Sequence, residues 1–346
     1  MEELSERQKR ILGSIVEMYV STVNPVGSNS IIGFSRDRIS SATIRNEMHE
    51  LEKLGYVTHP HTSAGRMPTD KGYRYYVDCL LRGVRLNSRD AMKIAQEFEA
   101  NLSSVESLME RTTKILSTIS EQVGMVVFPS FETLVLKKIE LTILSRGYLL
   151  VVWVTQNGFI QNRVVDMKEE ILEAELARIC HFLNEELHGM PLSDIEFYLT
   201  RKLEEVHDSL HKLYEEARSI IQNSFPREMP GRLRIEGSHY VLEKPEFENW
   251  EKSKRFLKMV EERESLLDFI QQSVRPEPGV QVYIGEEHNC EDIRDCSLVT
   301  APYFVRRRVL GSVAVLGPRR MAYNRIISIV GCVADRLSSE LEHWSV

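Results

Sequence analysis

Two neighbouring side chains, Arg45 and Asn46, have the chemistry needed to read the bases of DNA. A guanidinium can bind guanine through two hydrogen bonds, and a carboxamide can bind adenine in the same way. Ser41 and His49 belong to the same polar side of a helix drawn through residues 40–56. This chemistry favours direct base contacts. The alternative, which suits any isolated polar helix, is a solvated face without a ligand.

The helix that would present this polar face is predicted by apolar spacing. Intervals of three and four residues separate Ile44, Met48, Leu51 and Leu54, which therefore make one stripe of a helix. A serine oxygen at position 40 or 41 can accept an unpaired N–H of the first turn and cap the helix start. Gly55 stands where a helix needs a left-handed stop.

The flanking segments follow the order of a winged helix-turn-helix. Residues 5–20 are predicted to form an amphipathic helix, PVGS at 25–28 breaks it, and residues 28–34 form a short second helix before the recognition helix. A strand then starts at Tyr56, and residues 59–67 form a polar wing before the next helix. Side chains of this wing could touch phosphate or the minor groove.

The sequence resembles the HrcA family of bacterial heat-shock repressors. The matching blocks are PVGS at 25–28, SSATIRNEMHELEKLGY at 40–56, PHTSAGRMPTDKGYRYYVD at 60–78 and VAVLGPRRMAYNRIISIV at 313–330. These blocks lie towards both ends, so the resemblance spans most of the chain, while residues 165–275 add little to it.

The resemblance implies a homodimeric repressor that binds double-stranded DNA at an inverted-repeat operator, called CIRCE, before chaperonin and related operons. It implies that a GroEL-type chaperonin keeps the repressor folded until heat diverts the chaperonin to unfolded clients. It implies no enzymatic activity and no cofactor. In the family, a segment inserted into a GAF-like domain helps to dimerise the protein.

On these grounds we predict two groups of site residues. The residues predicted to bind DNA are Ser28, Ser40, Ser41, Thr43, Arg45, Asn46, His49, His59, His61, Thr62, Ser63, Arg66, Lys71 and Arg74. The residues predicted to form the dimer contact are Leu203, Val206, Leu210 and Leu213, which follow a heptad spacing within a helix predicted at 199–223.

Composition excludes several classes of protein. At 346 residues the chain is long enough for two or three domains, and 42% hydrophobic residues suffice for ordinary cores. We find neither a membrane-spanning apolar run nor a signal peptide, so we expect a cytoplasmic protein. Five scattered cysteines suit a reducing compartment.

Charge is concentrated where the DNA-binding motif lies. The net charge is −7, yet residues 30–85 hold 9 Lys/Arg against 6 Asp/Glu and so carry +3. This excess is modest. We therefore expect that affinity needs a dimer whose two heads both reach phosphates.

Beyond residue 87 the pattern indicates an α+β fold with an antiparallel GAF-like sheet. Strands are predicted at 136–144, 148–154, 159–165, 280–284, 297–305 and 308–316, with helices at 170–187, 247–272 and 322–343. The heptad spacing from Leu102 to Val123 predicts either a long helix–helix contact or a helix packed on a sheet. The predicted domains are 1–87 (winged helix), 88–168 and 246–346 (GAF-like), and 169–245 (inserted).

Two other function classes stay open at this level. One is a metabolite-sensing regulator with a ligand in the GAF-like pocket. The other is a cysteine-based reductase that uses Cys290 or Cys296, although inert thiols are the simpler interpretation. Basic clusters at 306–308 and 319–320 could contact DNA or a partner, or could be solvated surface.

Overall fold

The protein is built from three units, a head and two domains that each surround an antiparallel sheet. The computed structural model describes residues 4–34, 40–60, 65–81, 86–99, 104–129, 134–145, 147–167, 171–205, 210–225, 233–287 and 293–344. The α+β class predicted from the sequence is confirmed.

The head is a winged helix-turn-helix, as predicted. It contains α1 (Glu6–Thr22), α2 (Ser28–Phe34), α3 (Ser41–Lys53), β1 (Val57–Thr58), β2 (Met67–Pro68) and α4 (Asp70–Tyr75), followed by a π-helical segment (Tyr76–Leu80). Its core joins the apolar sides of α1 and α3, because Leu12, Ile15 and Leu51 are fully buried in one cluster. Burial of these aliphatic side chains holds the three helices together.

Close backbone contacts fix the base of the wing. β1 and β2 pair antiparallel, and Val26 in the loop before α2 exchanges two 2.8 Å backbone hydrogen bonds with Arg66. Gly65 is required where wing and loop meet, since a Cβ there would lie 2.6 Å from backbone atoms of Pro25 and Val26. The wing therefore starts from a defined position.

The remaining elements follow in chain order. They are α5 (Ser88–Phe98), α6 (Val105–Ser120), β3 (Val123–Val127), β4 (Leu136–Ser145), β5 (Tyr148–Thr155), β6 (Ile160–Asp166), α7 (Glu173–Leu187), α8 (Leu192–Glu205), α9 (His211–Ser224), β7 (Leu233–Glu236), α10 (Ser238–Leu242), α11 (Trp250–Glu261), α12 (Arg263–Ser273), β8 (Gln281–Ile284), β9 (Cys296–Val305), β10 (Arg308–Pro318) and α13 (Tyr323–Trp344).

A five-stranded antiparallel sheet in the order β7-β3-β10-β9-β8 is covered on both faces. Helices α6 and α13 pack on one face, and α10, α11 and α12 cover the other. Strand β3 shows the alternation, because Met125 joins the cluster under α10–α12 while Val126 joins the cluster under α6 and α13. We call this sheet, its helices and α5 the sheet domain.

Strands β4, β5 and β6 form a separate three-stranded sheet. Helices α7 and α9 pack on this sheet, and α8 packs on α9. The expectation of one GAF-like sheet that includes 136–165 is therefore wrong. Period-two alternation identifies which face of a strand is buried, but it does not identify the neighbouring strands. We call β4–β6 with α7–α9 the inserted unit.

The predicted heptad contacts are rearranged in the structure. The helix predicted at 199–223 is two helices, because α8 ends at Glu205 and α9 starts at His211, and they pack against each other. The helix predicted at 247–272 is divided at Glu262 into α11 and α12. The heptad stripe predicted from Leu102 to Val123 lies mainly on α6, which packs on the five-stranded sheet. Of the two predicted alternatives, the helix packed on a sheet is therefore the one observed.

Strands β3 and β7 were missed by the sequence analysis. The heptad spacing was carried through Val123, whereas α6 ends at Ser120 and is followed by Glu121 in a left-handed conformation with φ 55°. Gly124 then lets β3 lie against α6, since a Cβ there would be 2.6 Å from backbone atoms of Ser117 and Thr113. A cap that rests on a non-glycine residue carries little sequence signal.

The predicted domain bounds differ from the sheet bounds. The bound at residue 168 separates β4–β6 from the helices that pack on them, and the bound at 245 groups β7 with the inserted helices although β7 pairs with β3. We propose instead that the inserted unit covers residues 134–225 and that the sheet domain is formed by the chain from α5 onward that precedes this unit and by the chain that follows it.

Candidate nucleic-acid interface

Helix α3 presents Arg45 and Asn46 to solvent. Ser40 caps its start by accepting a 3.2 Å hydrogen bond from the N–H of Thr43. Because Ile44, Met48 and Leu51 are buried, the opposite face is exposed and carries Ala42, Arg45, Asn46 and His49. The exposed guanidinium and amide are therefore free to meet base edges in a major groove.

Hydroxyl groups lock the start of α3 onto α2. The Oγ atoms of Ser28 and Ser41 lie 3.0 Å apart, and Ser41 donates a 2.7 Å hydrogen bond to Oδ1 of Asn29. The Oγ of Ser40 lies 2.9 Å from Oγ1 of Thr43. These predicted DNA-binding residues are thus brought together, and they orient the recognition helix within the head. Their contact with DNA stays a prediction.

Glu52, near the end of α3, contacts three basic side chains, two from the wing and one from α3 itself. The Nη2 of Arg66 lies 2.7 Å from Oε2 of Glu52, Nδ1 of His59 makes a short hydrogen bond to Oε1, and Nδ1 of His49 lies 3.8 Å from Oε2. Partial burial would raise the pKa of Glu52, but hydrogen bonds from His59 and Arg66 and their charges hold it below its ordinary value.

The wing is therefore tied to the recognition helix by charge. The side chain of Arg66 is only 21% exposed, while that of His49 is 60% exposed. Arg66 is engaged within the protein, and His49 remains accessible to a ligand. The predicted contacts of His61, Thr62 and Ser63 lie outside the described residues and stay predictions.

Two predicted DNA-binding residues on α4, the exposed Lys71 and the half-buried Arg74, donate hydrogen bonds to other groups of the protein. Lys71 donates a 2.7 Å hydrogen bond to the carbonyl of Leu54 and lies 4.5 Å from the ring centre of Tyr56. Arg74 donates to Oε1 of Glu287 at 2.7 Å and to the carbonyl of Val282 at 2.5 Å. Lys71 thus caps the carbonyl end of α3, and the guanidinium of Arg74 lies against the sheet domain.

Known proteins are similar to this chain over nearly its whole length. The family model described as a winged helix-turn-helix transcription repressor, HrcA DNA-binding, matches residues 3–77, and the HrcA protein C terminal domain matches residues 106–327. The chain belongs to the HrcA family. Its members are heat-inducible transcription repressors with a DNA-binding winged helix.

Individual relatives are similar from end to end. The heat-inducible transcription repressor HrcA of Pelotomaculum thermopropionicum is 37% identical over 343 residues, which cover 98% of this chain and 97% of that protein. The HrcA of Geobacter sulfurreducens is 34% identical over 345 residues, with 99% of both chains covered. A crystal structure described as a hypothetical protein has the same fold, with a TM-score of 0.68, 23% identity and coverage of 99% of this chain and 100% of the other.

Cys296 lies in surroundings that disfavour its reactive thiolate form. Burial and the charge of Asp295 raise the pKa of its thiol to about 12, and thiolates rather than thiols are the nucleophiles of cysteine chemistry. Cys296 is fully enclosed in the cluster under α10–α12. The reductase hypothesis thus loses one of its two cysteines, and Cys290 lies outside the described residues.

A cavity of about 380 Å³ lies between the head and the sheet domain of this HrcA protein. Its walls combine Val16, Glu17 and Tyr76 of the head with Asn324 and Arg325 of α13.

Among the described residues, none of the helices has the length and apolarity needed to cross a membrane.

The acidic partners of the basic residues were not predicted from the sequence. Glu52 holds Arg66, and Glu287 lies 213 positions after Arg74 in the chain. The cluster Arg319–Arg320 was noticed in the sequence, and the structure places it against the head, where Arg319 binds Asp70 at 2.9 Å. No local pattern could have paired residues so far apart.

Proposed function

We propose that this HrcA protein is a homodimeric repressor of class I heat-shock (chaperone) operons that binds the CIRCE inverted repeat. The observation that carries the proposal is the capped helix α3, whose exposed face holds Arg45 and Asn46. Membership of a family of heat-inducible transcription repressors supports the chaperone genes as targets.

In this proposal the residues of the head divide their work. Arg45 and Asn46 read base edges in the major groove, with His49 beside them. Ser40, Ser41 and Thr43, at the start of α3, lie beside the phosphate backbone. At the base of the wing, His59 and Arg66 lie beside the adjacent backbone, and the link from Arg66 to Glu52 orients Arg66 for that contact.

The inserted unit is the proposed dimer contact. Strand β5 buries Leu149, Val151 and Trp153 on its helix-covered face. The opposite face carries an apolar band of half-buried and exposed side chains, formed by Tyr148, Leu150, Val152, Val154, Ile160 and Val164. Ile160 and Val164 are 49% and 53% exposed. A two-fold axis through this band would bury it against the same band of a second copy.

The four residues predicted to form the dimer contact on helices 199–223 expose less apolar surface than the open face of the sheet does. Leu203 and Leu213 are half-buried against the core of their own chain, and Val206 lies outside the described residues. Leu210 is 51% exposed at the start of α9. We therefore place the main contact on the open sheet face and keep Leu210 as the alternative.

Two heads on one axis match an inverted repeat. Each head covers one half-site, and the modest positive charge of residues 30–85 makes the second head necessary for tight binding. On heating, the folded dimer fraction falls and operator occupancy falls with it, which releases the genes. A GroEL-type chaperonin raises the folded fraction and so modulates repression.

An equilibrium DNA-binding assay tests this function. The probes are a labelled duplex with the inverted repeat found upstream of a chaperonin operon in the same genome, the same duplex with one half-site scrambled, and random DNA. We expect the inverted repeat to bind at least about 10³-fold more tightly than random DNA at physiological salt. After a heat step, GroEL with ATP should restore binding. Equal affinity for all three duplexes would refute the proposal.

A metabolite-sensing regulator is the second candidate function. The cavity of about 380 Å³ between head and sheet domain favours it, since a ligand there would touch both units. This cavity lies outside the sheet core where the GAF-like pocket was expected. Repression that responds to small-molecule extracts at constant temperature, with a calorimetric binding signal to match, would favour this candidate over the first.

A further inference from the structure

Two oppositely charged residues of α4 attach the head to the sheet domain. Asp70 accepts a 2.9 Å hydrogen bond from Nη1 of Arg319 and a 3.1 Å hydrogen bond from the backbone N–H of Glu286. One turn later, Arg74 donates to Glu287 at 2.7 Å and to the carbonyl of Val282 at 2.5 Å. A carboxylate and a guanidinium of the head thus each pair with a group of opposite charge on the sheet domain.

The backbone of the sheet domain is shaped for this contact. Gly285 has φ +53°, and a Cβ there would lie 2.0 Å from Oδ2 of Asp70. Any side chain at position 285 would displace the carboxylate, so glycine permits the close approach. The side chain of Glu287 also accepts a 2.8 Å hydrogen bond from the N–H of Ile284, which fixes it opposite Arg74.

A second attachment lies on α1. Arg320 donates a 2.7 Å hydrogen bond to the carbonyl of Val20 near the end of that helix and a 2.5 Å hydrogen bond to Glu246. The rings of Tyr73 and Tyr323 pack between the two attachments with centroids 5.6 Å apart. Contacts at α1 and at two positions of α4 restrict both the position and the rotation of the head.

Helix α4 is joined as firmly to the recognition helix. Lys71 and Thr69 each donate a 2.7 Å hydrogen bond to a carbonyl just after the end of α3, those of Leu54 and Gly55 respectively. Gly72 lies so close to the backbone of Tyr56 that a Cβ would be 2.1 Å from its carbonyl oxygen. The orientation of α4 on the sheet domain therefore sets the orientation of α3.

We propose that Asp70 and Arg74 are positioning residues that orient the recognition helix on the sheet domain and thereby select the spacing of the two operator half-sites. This inference rests on the proposed function, because it requires two heads on one inverted repeat. Neither residue contacts DNA in this proposal, which reverses the assignment of Arg74 made from the sequence.

The expected consequence follows from the geometry of DNA. One added base pair moves a half-site by about 3.4 Å. It also rotates the half-site by roughly 35°, since one helical turn takes about 10 base pairs. Rigid heads tolerate only one such arrangement. Heads on a loose attachment would tolerate several, but they would gain less from the second half-site because their effective concentration is lower.

The test measures affinity for operators whose spacer is shortened or lengthened by one to five base pairs, and for an isolated half-site. The variants are Arg74→Glu, and Arg74→Glu combined with Glu287→Arg. For the unaltered protein we expect at least about tenfold weaker binding when the spacer departs from its optimum. Arg74→Glu should bind the optimal operator at least tenfold more weakly and show a flat spacing profile, and the double variant should regain the optimum.

Two controls separate positioning from DNA contact and from misfolding. Arg111→Glu removes a surface arginine that is paired with Glu97, and it should keep the spacing profile. Asp70→Asn loses the charge but keeps the size of the side chain, and it should flatten the spacing profile as Arg74→Glu does. This variant therefore tests the proposal even if Arg74→Glu does not fold. Binding to the isolated half-site should stay unchanged in every variant.

Three results would overturn the inference. One is an unaltered spacing profile in folded Arg74→Glu and Asp70→Asn. Another is weaker binding of Arg74→Glu to the isolated half-site that Glu287→Arg does not restore, because that pattern marks a DNA contact. The third is an unaltered protein that binds the inverted repeat no better than a half-site, which would remove the proposed function as well.

Discussion

Glu52 and Arg66 join the recognition helix to the wing through an ion pair with Nη2 and Oε2 2.7 Å apart. We predict that Glu52→Gln weakens this link and lowers the free energy of unfolding by about 1 kcal/mol, because a charged hydrogen bond becomes a neutral one. Urea unfolding measures the change. Glu50→Gln, at an exposed residue of the same helix that pairs with Lys53, is the matched control and should unfold almost as the unaltered protein does.

The same pair predicts a pH dependence. The pKa of Glu52 lies below its ordinary value of 4.5. Its ionised form therefore stabilises the folded state above that value, and the stabilisation is lost as the pH falls through the folded pKa. The stability difference between the unaltered protein and Glu52→Gln should be constant near neutral pH and shrink below about pH 4. A difference that grows on acidification would contradict the assignment.

Asp90 and Arg325 form the second ion pair with a measurable role. Nε of Arg325 lies 2.7 Å from Oδ2 of Asp90, whose side chain is 4% exposed, and Arg325 also donates 2.7 Å to the carbonyl of Ile119. Asp90→Ala should lower the free energy of unfolding by about 2–3 kcal/mol. This is less than for a fully buried pair, since Arg325 is 37% exposed and can reach water.

An exposed pair provides the comparison for Asp90. Glu97 and Arg111 join α5 to α6 with side chains that are 56% and 33% exposed. Glu97→Ala should therefore cost less than about 1 kcal/mol. Thermal unfolding of both variants decides the matter. Equal losses would mean that the buried pair adds nothing to stability beyond a surface contact.

Local patterns and distant contacts differ in what a sequence reveals. Helix α3 was predicted well because its apolar spacing and Ser40 cap lie within a few residues of each other. The attachment of the head was not predicted, since Asp70 and Arg319 are 249 positions apart. The sequence around a basic side chain does not show whether its partner is a phosphate of DNA or a carboxylate of the protein. Arg74 was therefore assigned to DNA from its neighbourhood alone.

Sheet membership was lost for a similar reason. Strands β4–β6 and β8–β10 were all predicted from the sequence, yet they belong to two different sheets. Hydrogen bonds between strands use backbone groups that are the same in every residue except proline. The choice of neighbour therefore depends on the packing of whole helices, and the sequence analysis had no signal for it.

Arg45 is predicted to read a base. Arg45→Ala should weaken operator binding by about 1–3 kcal/mol and relax specificity at one position of each half-site. Lys53→Ala on the same helix removes an equal charge that is paired with Glu50, so it should reduce affinity less and leave specificity intact. Competition binding against single-base operator variants measures both effects. Equal losses on operator and random DNA would assign Arg45 to the phosphates instead.

Tyr73 buries a hydroxyl that makes no hydrogen bond within the described part of the chain. Tyr73 is 3% exposed, and burial raises the pKa of its hydroxyl well above the ordinary value. Tyr73→Phe keeps the ring contact with Tyr323 and removes an unsatisfied group. The free energy of unfolding should stay equal or rise by up to about 1 kcal/mol.

Tyr303→Phe is the contrasting substitution. The hydroxyl of Tyr303 is equally buried, but it donates a 2.9 Å hydrogen bond to the carbonyl of Val127. Its loss should destabilise the protein by about 1–2 kcal/mol. Chemical unfolding of the two variants under one condition compares them directly. A similar loss for Tyr73→Phe would reveal a hydrogen bond of its hydroxyl in solution.

The last prediction concerns the dimer contact and uses two residues of similar exposure. Val164 on the open sheet face is 53% exposed, and Leu210 at the start of α9 is 51% exposed. Because their intrinsic exposure is matched, a carboxylate at either position costs little in a separated chain and much where a partner covers it. Val164→Glu should therefore sediment as a monomer with its helical signal intact, and it should lose operator binding at dilute concentration.

Leu210→Glu should remain dimeric if the open sheet face is the contact. Sedimentation velocity of both variants at several concentrations separates the two surfaces, and a fused dimerisation helix should restore part of the operator binding of Val164→Glu. A monomeric Leu210→Glu beside a dimeric Val164→Glu would move the contact to the helices, as the heptad spacing first predicted. Two dimeric variants would move it out of the inserted unit, and the two-fold axis would then have to lie between heads or sheet domains.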